Sequence, residues 1–222
     1  MVVHAAAGEA ARVQRLRQPH TLQRLCRGVQ PDAVAAKVPE PISSFEPRDD
    51  IWPTETAPVL RRTGREVKLV QLRWGFASGR PKAGPVINFR SEGRRFPAGR
   101  CLVPASHFYE FTGSRSPKSK WRFTEAGEGW FCFAGLWRPA AEGVPEAFTL
   151  LTATPGPDVV PIHNRKMVVL ERAAWLAWLD LGLGGAAAAS ACRQPARRTG
   201  AVSEDGVWSS RLPGTPTRLL MA

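Results

Sequence analysis

Between residues 46 and 182 the apolar positions recur mostly at a period of two, the spacing of strands. In Lys68-Leu69-Val70-Gln71-Leu72-Arg73-Trp74 the alternation places Val70, Leu72 and Trp74 on one face. Further strands are predicted over 121–124, 130–137, 147–154 and 167–170, and Cys101 and Cys132 fall in apolar, strand-like runs. Clusters of Gly, Pro and Glu at 112–118, 125–129 and 139–146 read as the turns between them. After the last strand, residues 171–181 predict a short helix. Trp175, Leu176, Trp178 and Leu179 form its apolar side, and Gly182 stops it. Successive strands joined by short loops predict an α+β, β-rich fold: an antiparallel, barrel-like sheet with a few short helices.

The two ends read differently from this centre. Residues 1–45 are rich in Ala and Arg, with weak helical periodicity over 5–25, and residues 183–222 run from Gly184-Gly185-Ala186 into Arg, Ser, Pro and Gly. An atypical, poorly ordered segment (1–45), one folded domain (46–182) and a disordered tail (183–222) are therefore expected. A chain of 222 residues, 43% hydrophobic, can bury one sizeable core. No apolar run approaches the ~18–20 residues of a membrane span. Arginines interrupt each apolar stretch of the first thirty residues, so no secretory signal is predicted. Cys26, Cys101, Cys132 and Cys192 are widely spaced and form no C-x-x-C pair. A cytoplasmic protein without metal or cofactor is expected.

Charge changes this picture. The formal net charge is +12. Residues 46–182 hold 20 Lys/Arg against 14 Asp/Glu, and the window 90–122 alone holds eight basic residues against Glu92 and Glu110. The whole surplus of the central region thus lies in one window, interleaved with Trp, Phe and Tyr. Such a mixture is the footprint of a nucleic-acid surface, and equally of a solvated basic face.

That window also carries candidate chemistry. Glu110 lies between Tyr109 and Phe111, and a carboxylate among apolar neighbours is expected to keep its proton near neutral pH. Asn88 and Arg90 alternate on an extended segment, so an amide and a guanidinium share a face suited to an oxyanion or phosphate. His163 closes the turn Pro161-Ile162-His163-Asn164-Arg165 just before a strand. Acid, base and anion clamp come from three separate segments, as active sites do. Taken singly, each has an ordinary alternative: Glu110 on a polar strand face, His163 as a turn residue, Trp74 as core, Arg90 and Glu92 as a surface ion pair.

In combination the motifs resemble one family. Trp74-Gly75, Asn88-x-Arg90-x-Glu92, Arg100-Cys101-Leu102-Val103-Pro104-Ala105 leading to Phe108-Tyr109-Glu110, Phe133-Ala134-Gly135-Leu136-Trp137 and Pro161-Ile162-His163-x-Arg165-x-Met167 follow the motif order of the SOS-response-associated peptidase (SRAP) family, the abasic-site processing proteins. Pro53-Thr54 before a strand is similar to its early segment, and the resemblance covers about residues 46–182. It implies a β-rich fold with a basic groove for single-stranded DNA containing abasic sites, and a monomer associated with the nucleoid. It also implies a covalent DNA–protein linkage and a peptidase activity that exposes Cys at position 2. The amine and thiol of that residue trap the sugar aldehyde as a thiazolidine. Carried over to this chain, Glu110 is the acid/base, His163 assists proton transfer, and Asn88 positions the N-terminal residue. Arg90 and Arg165 hold DNA, and Trp74 stacks at its junction.

The departure from the family falls on the nucleophile. Position 2 is Val, and Leu25 precedes Cys26-Arg27, so no α-amine is available beside that thiol. Three alternatives stay open at this point. The reading frame is misassigned at both ends, or the chain is a paralogue that binds single-stranded DNA without crosslinking it, or it is a thiol hydrolase using Cys101 with His163.

Overall fold

The structure, a computed structural model, describes residues 15–17, 48, 50–112, 118–125, 130–156, 159–180 and 199–203. Twelve strands are formed among them. In chain order they are β1 (Arg15–Arg17), β2 (Thr56–Thr63), β3 (Glu66–Trp74), β4 (Asn88–Arg90), β5 (Arg100–Ala105), β6 (His107–Thr112), β7 (Ser119–Glu125), β8 (Phe131–Arg138), β9 (Ala147–Ala153), β10 (Lys166–Met167), β11 (Val169–Leu170) and β12 (Thr199–Ser203). A 3-10 turn (Arg172–Ala174) leads into one short helix, α1 (Trp175–Leu179).

The strands make two sheets. In the larger, the order β9-β3-β2-β5-β8 returns to β9 through the β8–β9 pairing, so five strands close a ring. The barrel-like fold expected from the sequence is thus the one observed. Its pairings are antiparallel except where β9 meets β3 and β4, which run parallel to it. The smaller sheet has the order β1-β6-β7-β12. The extended run from Arg100 to Thr112 belongs to both: it bends at Ser106, so β5 serves the ring and β6 the second sheet.

Two short strands lie outside residues 46–182. Arg15–Arg17 is a strand paired with β6 where weak helical periodicity had pointed to a helix. Thr199–Ser203, within the stretch expected to be disordered, pairs with β7 over five residues. Backbone pairing at a sheet edge needs little side-chain pattern, which is why both segments escape a periodicity reading.

The ring is packed on both sides. Cys101, Val103 and Ala105 of β5 face one apolar cluster with Val59, Leu72, Trp74, Phe108, Phe133 and Phe148, while Leu102 faces a second with Leu60, Cys132, Ala134 and Leu151. Helix α1 covers the second cluster. Trp175 and Trp178 are fully buried, and their indole N–H groups donate to Leu170 O at 3.0 Å and Cys101 O at 2.8 Å. Leu176, predicted on the apolar side, is instead 40% exposed. Because the helix spans only five residues, it offers one buried stripe and no more.

Candidate functional site

Strand β6 presents Glu110 inward. Side chains at i and i+2 share a face, so Glu110 lies on the side of Phe108, whose ring stacks on Phe123 at 4.9 Å inside the first cluster. Its cross-strand partner on β7 is Trp121, and directly opposed residues of an antiparallel pair point the same way. The carboxylate is therefore shielded by Phe108 and Trp121. Tyr109 and Phe111, its neighbours in sequence, point to the opposite face, which corrects the sandwich expected from the sequence. Tyr109 instead meets His107, with the phenol oxygen 3.1 Å from His107 Nε2. Glu110 is 1% exposed.

His163 faces this carboxylate. Its Nε2 lies 3.9 Å from Glu110 Oε2, and both side chains are nearly buried. A tight turn delivers the ring: the backbone N–H groups of Ile162 and His163 both donate to Val159 O at 2.8 Å, while Val159 and Ile162 anchor the turn on the first cluster. On the far side of the ring, Nδ1 is 2.9 Å from both the backbone nitrogen and the carbonyl oxygen of Arg165. When Nδ1–H donates to that carbonyl, the neutral imidazole leaves Nε2 unprotonated, a base facing Glu110. The two groups can then pass one proton between them, or to a third group seated beside them.

Arg165 ties this turn to β4. Its guanidinium binds Glu92 through bonds of 2.6 and 2.7 Å and donates to Thr152 O at 2.7 Å. The same Thr152 carbonyl accepts from the backbone N–H and the hydroxyl of Ser91, each at 2.9 Å. The end of β4, the end of β9 and the histidine turn are thereby held at one point. The Arg165 partnership holds the Glu92 carboxyl at about 2, far below the usual carboxylate value, against an opposing effect of partial burial. Arg165, expected to hold DNA, is engaged in this clamp.

Asn88 and Arg90 share a face of β4, as alternation predicts. Asn88 is half-buried and Arg90 exposed, and Phe89 points the other way, onto the second cluster. Trp74 is fully buried. It stacks on Phe148 at 6.2 Å and donates its indole N–H to Ile87 O at 3.0 Å, one residue before Asn88. It presents no face to a base, and its role here is to fix the entry of β4. Cys101 is likewise fully buried, and desolvation pushes its thiol well above the ordinary range. It lies inside the ring and supplies no nucleophile. Sequence reading missed Trp121, Ser91 and Thr152, whose importance comes from cross-strand register.

Among the described residues no three His, Cys, Asp or Glu side chains group as metal ligands. No helix there is long and apolar enough to cross a membrane.

On the closed β-ring, a buried carboxylate–imidazole pair is thus braced by an ion-paired arginine, beside a strand that presents Asn88 and the exposed Arg90. The chain belongs to the SOS response associated peptidase (SRAP) family, whose model matches residues 11–204. It is 27% identical over 156 residues to the abasic site processing protein YoaM of Bacillus subtilis, a match covering 63% of this chain and 69% of that protein. Its fold is similar to that of a phage-related protein from Bordetella bronchiseptica (TM-score 0.63, 23% identity, 81% of this chain and 87% of that one). A protein from Bacteroides thetaiotaomicron shares the fold as well (TM-score 0.63, 16% identity, 87% and 91% of the two chains).

Proposed function

We propose that this protein binds single-stranded DNA at abasic sites and uses Glu110 and His163 to move protons at the ring-opened sugar. The observation that carries this reading is the buried Glu110–His163 pair at 3.9 Å, in a chain of this family that is similar to an abasic site processing protein. An amine attacks the C1′ aldehyde to give a carbinolamine. Glu110 protonates the departing hydroxyl, water leaves, and His163 takes the proton released from nitrogen, leaving an imine. An α-amine suits the attack, because its pKa of about 7.7–8.0 leaves far more free base at neutral pH than lysine's. Asn88 orients the attacking residue, and Arg90 neutralises the phosphate beside the lesion.

A thiazolidine requires a thiol next to that amine. A second reading is that the protein binds the lesion, forms at most an imine and does not progress to a stable crosslink. Two measurements separate the readings. Fluorescence anisotropy with an abasic single-stranded oligonucleotide tests binding, with weakening expected as salt rises. Borohydride trapping, compared with heat-stable adducts on a denaturing gel, tests the chemistry. Trapped imine without a heat-stable adduct supports the second reading. Affinity that is equal for duplex and abasic single strand, or indifferent to salt, removes both.

A further inference from the structure

Strand β4 has a second face, and a cleft of about 760 Å³ opens there. Phe76, Phe89 and Trp137 line it together with Arg94, Arg95 and Arg138, and no acidic residue contributes. Phe89 projects away from Asn88 and Arg90, so this cleft lies across β4 from the acid–base site. The three arginines are exposed, and among the described residues none is within ion-pair distance of a carboxylate. Two of them lie over rings: Arg94 is 4.7 Å from the Phe89 centroid, and Arg138 is 4.4 Å from that of Phe76. A third cation, Arg61, covers Trp137 at 4.0 Å while bound to Glu146.

We infer that this cleft is a second binding surface for single-stranded nucleic acid, which takes the segment flanking the one held at Arg90. The inference rests on the proposed DNA-binding function and extends it to a second surface. Charge complementarity selects a polyanion, since among the described residues the three guanidinium groups have no carboxylate partner and no acid lines the cleft. The aromatic floor selects a nucleic acid over an acidic polypeptide, because exposed guanidinium planes held over Phe89 and Phe76 can stack on bases while their N–H groups meet phosphates. Continuity adds to this. A turn closed by Arg94 N–H to Ser91 O at 3.2 Å joins Arg90 on one face to Arg94 and Arg95 on the other. Four residues reach at most about 14 Å, a distance that about four nucleotides span at a rise of roughly 3.4 Å each. One strand can therefore cross the end of β4 and touch both faces.

The test uses the full chain and two labelled oligothymidylates, of about six and about sixteen nucleotides, near the short and long ends of the usual single-strand footprint. Arg94→Gln/Arg95→Gln should weaken binding of the longer strand at least about fivefold and reduce its salt slope by about 1.4, or about 0.7 for each phosphate no longer neutralised. Binding of the shorter strand should stay unchanged, and Arg90→Ala should weaken both. Circular dichroism of the double variant checks that it remains folded, and Arg138→Gln gives an independent second variant with the same expected selectivity. Equal weakening of both lengths, or of neither, overturns the inference. So does polyglutamate binding that the double variant abolishes while long-strand binding persists. If the unsubstituted protein binds neither strand, the proposed function fails together with this inference.

Discussion

Arg165 grips Glu92 through two hydrogen bonds of 2.6 and 2.7 Å, and in doing so fastens the turn that carries His163 to the end of β4. The Glu92 carboxyl, held at about 2 against an ordinary 4.5, makes this clamp sensitive to acid. A depressed carboxylate stabilises the fold above its unfolded pKa, and that contribution disappears as pH falls through the folded value. Glu92→Gln should therefore lower the melting temperature at neutral pH. The gap to the unsubstituted protein should close between about pH 4.5 and pH 2. Glu92 is 38% exposed, so solvent screening keeps the expected loss near about 1 kcal/mol. Arg165→Lys should not preserve the clamp, since an ammonium cannot make the paired bonds. Melting curves of the three proteins across pH check this, and a pH-independent gap would refute it.

Glu110→Gln keeps the shape of the acid and removes its titration. Imine formation at an abasic oligonucleotide, measured by borohydride trapping, should fall about 10²–10⁴-fold, the usual contribution of a positioned acid–base group. Binding of the same oligonucleotide should remain within a few-fold. His163→Gln should slow the same step with little further loss in the double variant, because the proton that Glu110 gives and the one that His163 takes belong to a single dehydration and the two side chains lie 3.9 Å apart. Additive losses would show that they act separately.

Much of this fold was legible in alternation. The strands around Val70, Phe133 and Phe148, the helix at Trp175 and the pairing of Asn88 with Arg90 on one face all follow from the period of two or from a run of large apolar residues. Strand β2 was legible only as the strand that the resemblance places after Pro53-Thr54, because Pro58 interrupts its alternation. The structure shows how the proline is accommodated. Beyond β3, β2 pairs with β5 only at Leu60 and Arg61, so the missing N–H falls where one edge has no neighbour. The carboxylate–imidazole pair was legible as a set of residue types, but not its surroundings. Period-two geometry sends Tyr109 away from Glu110 and brings Trp121 beside it, and that register is a long-range fact. Trp74 misled for the same reason: nothing local separates a stacking platform from a tryptophan whose indole is satisfied by Ile87 O.

Cys101 offers a direct check on the hydrolase alternative. Its sulfur is fully buried and desolvation raises its pKa, so little thiolate exists at neutral pH. Under native conditions it should react with an aromatic disulfide reagent orders of magnitude more slowly than in denaturant. Cys101→Ala should leave any acid–base activity of the Glu110 site intact while lowering stability by about 1 kcal/mol or more through the cavity left behind. Rapid native labelling at Cys101, established by mass spectrometry of the labelled peptide, would reopen a thiol mechanism.

Gly135 and Gly99 test how closely the ring is packed behind the site. A Cβ at Gly135, on β8, would lie 2.8 Å from Cys101 Sγ, 3.1 Å from Val103 Cγ2 and 3.2 Å from Thr149 O. These atoms belong to β5 and β9, the two strands that flank β8 in the closed ring, so neither side can yield without opening the barrel. At Gly99 the backbone is left-handed (φ +68) and a Cβ would meet Trp137 O at 2.5 Å. Alanine there combines a disfavoured backbone with a clash against a carbonyl. Each substitution should destabilise by about 2–3 kcal/mol, measured as a lower urea midpoint at unchanged slope. Gly64→Ala is the control, since it shares a positive φ of 63 but has no atom within 4 Å of the added carbon, and about 1 kcal/mol is expected from the backbone alone. Equal losses at Gly64 and Gly99 would mean that conformation, and not the approach of Trp137, sets the requirement for glycine.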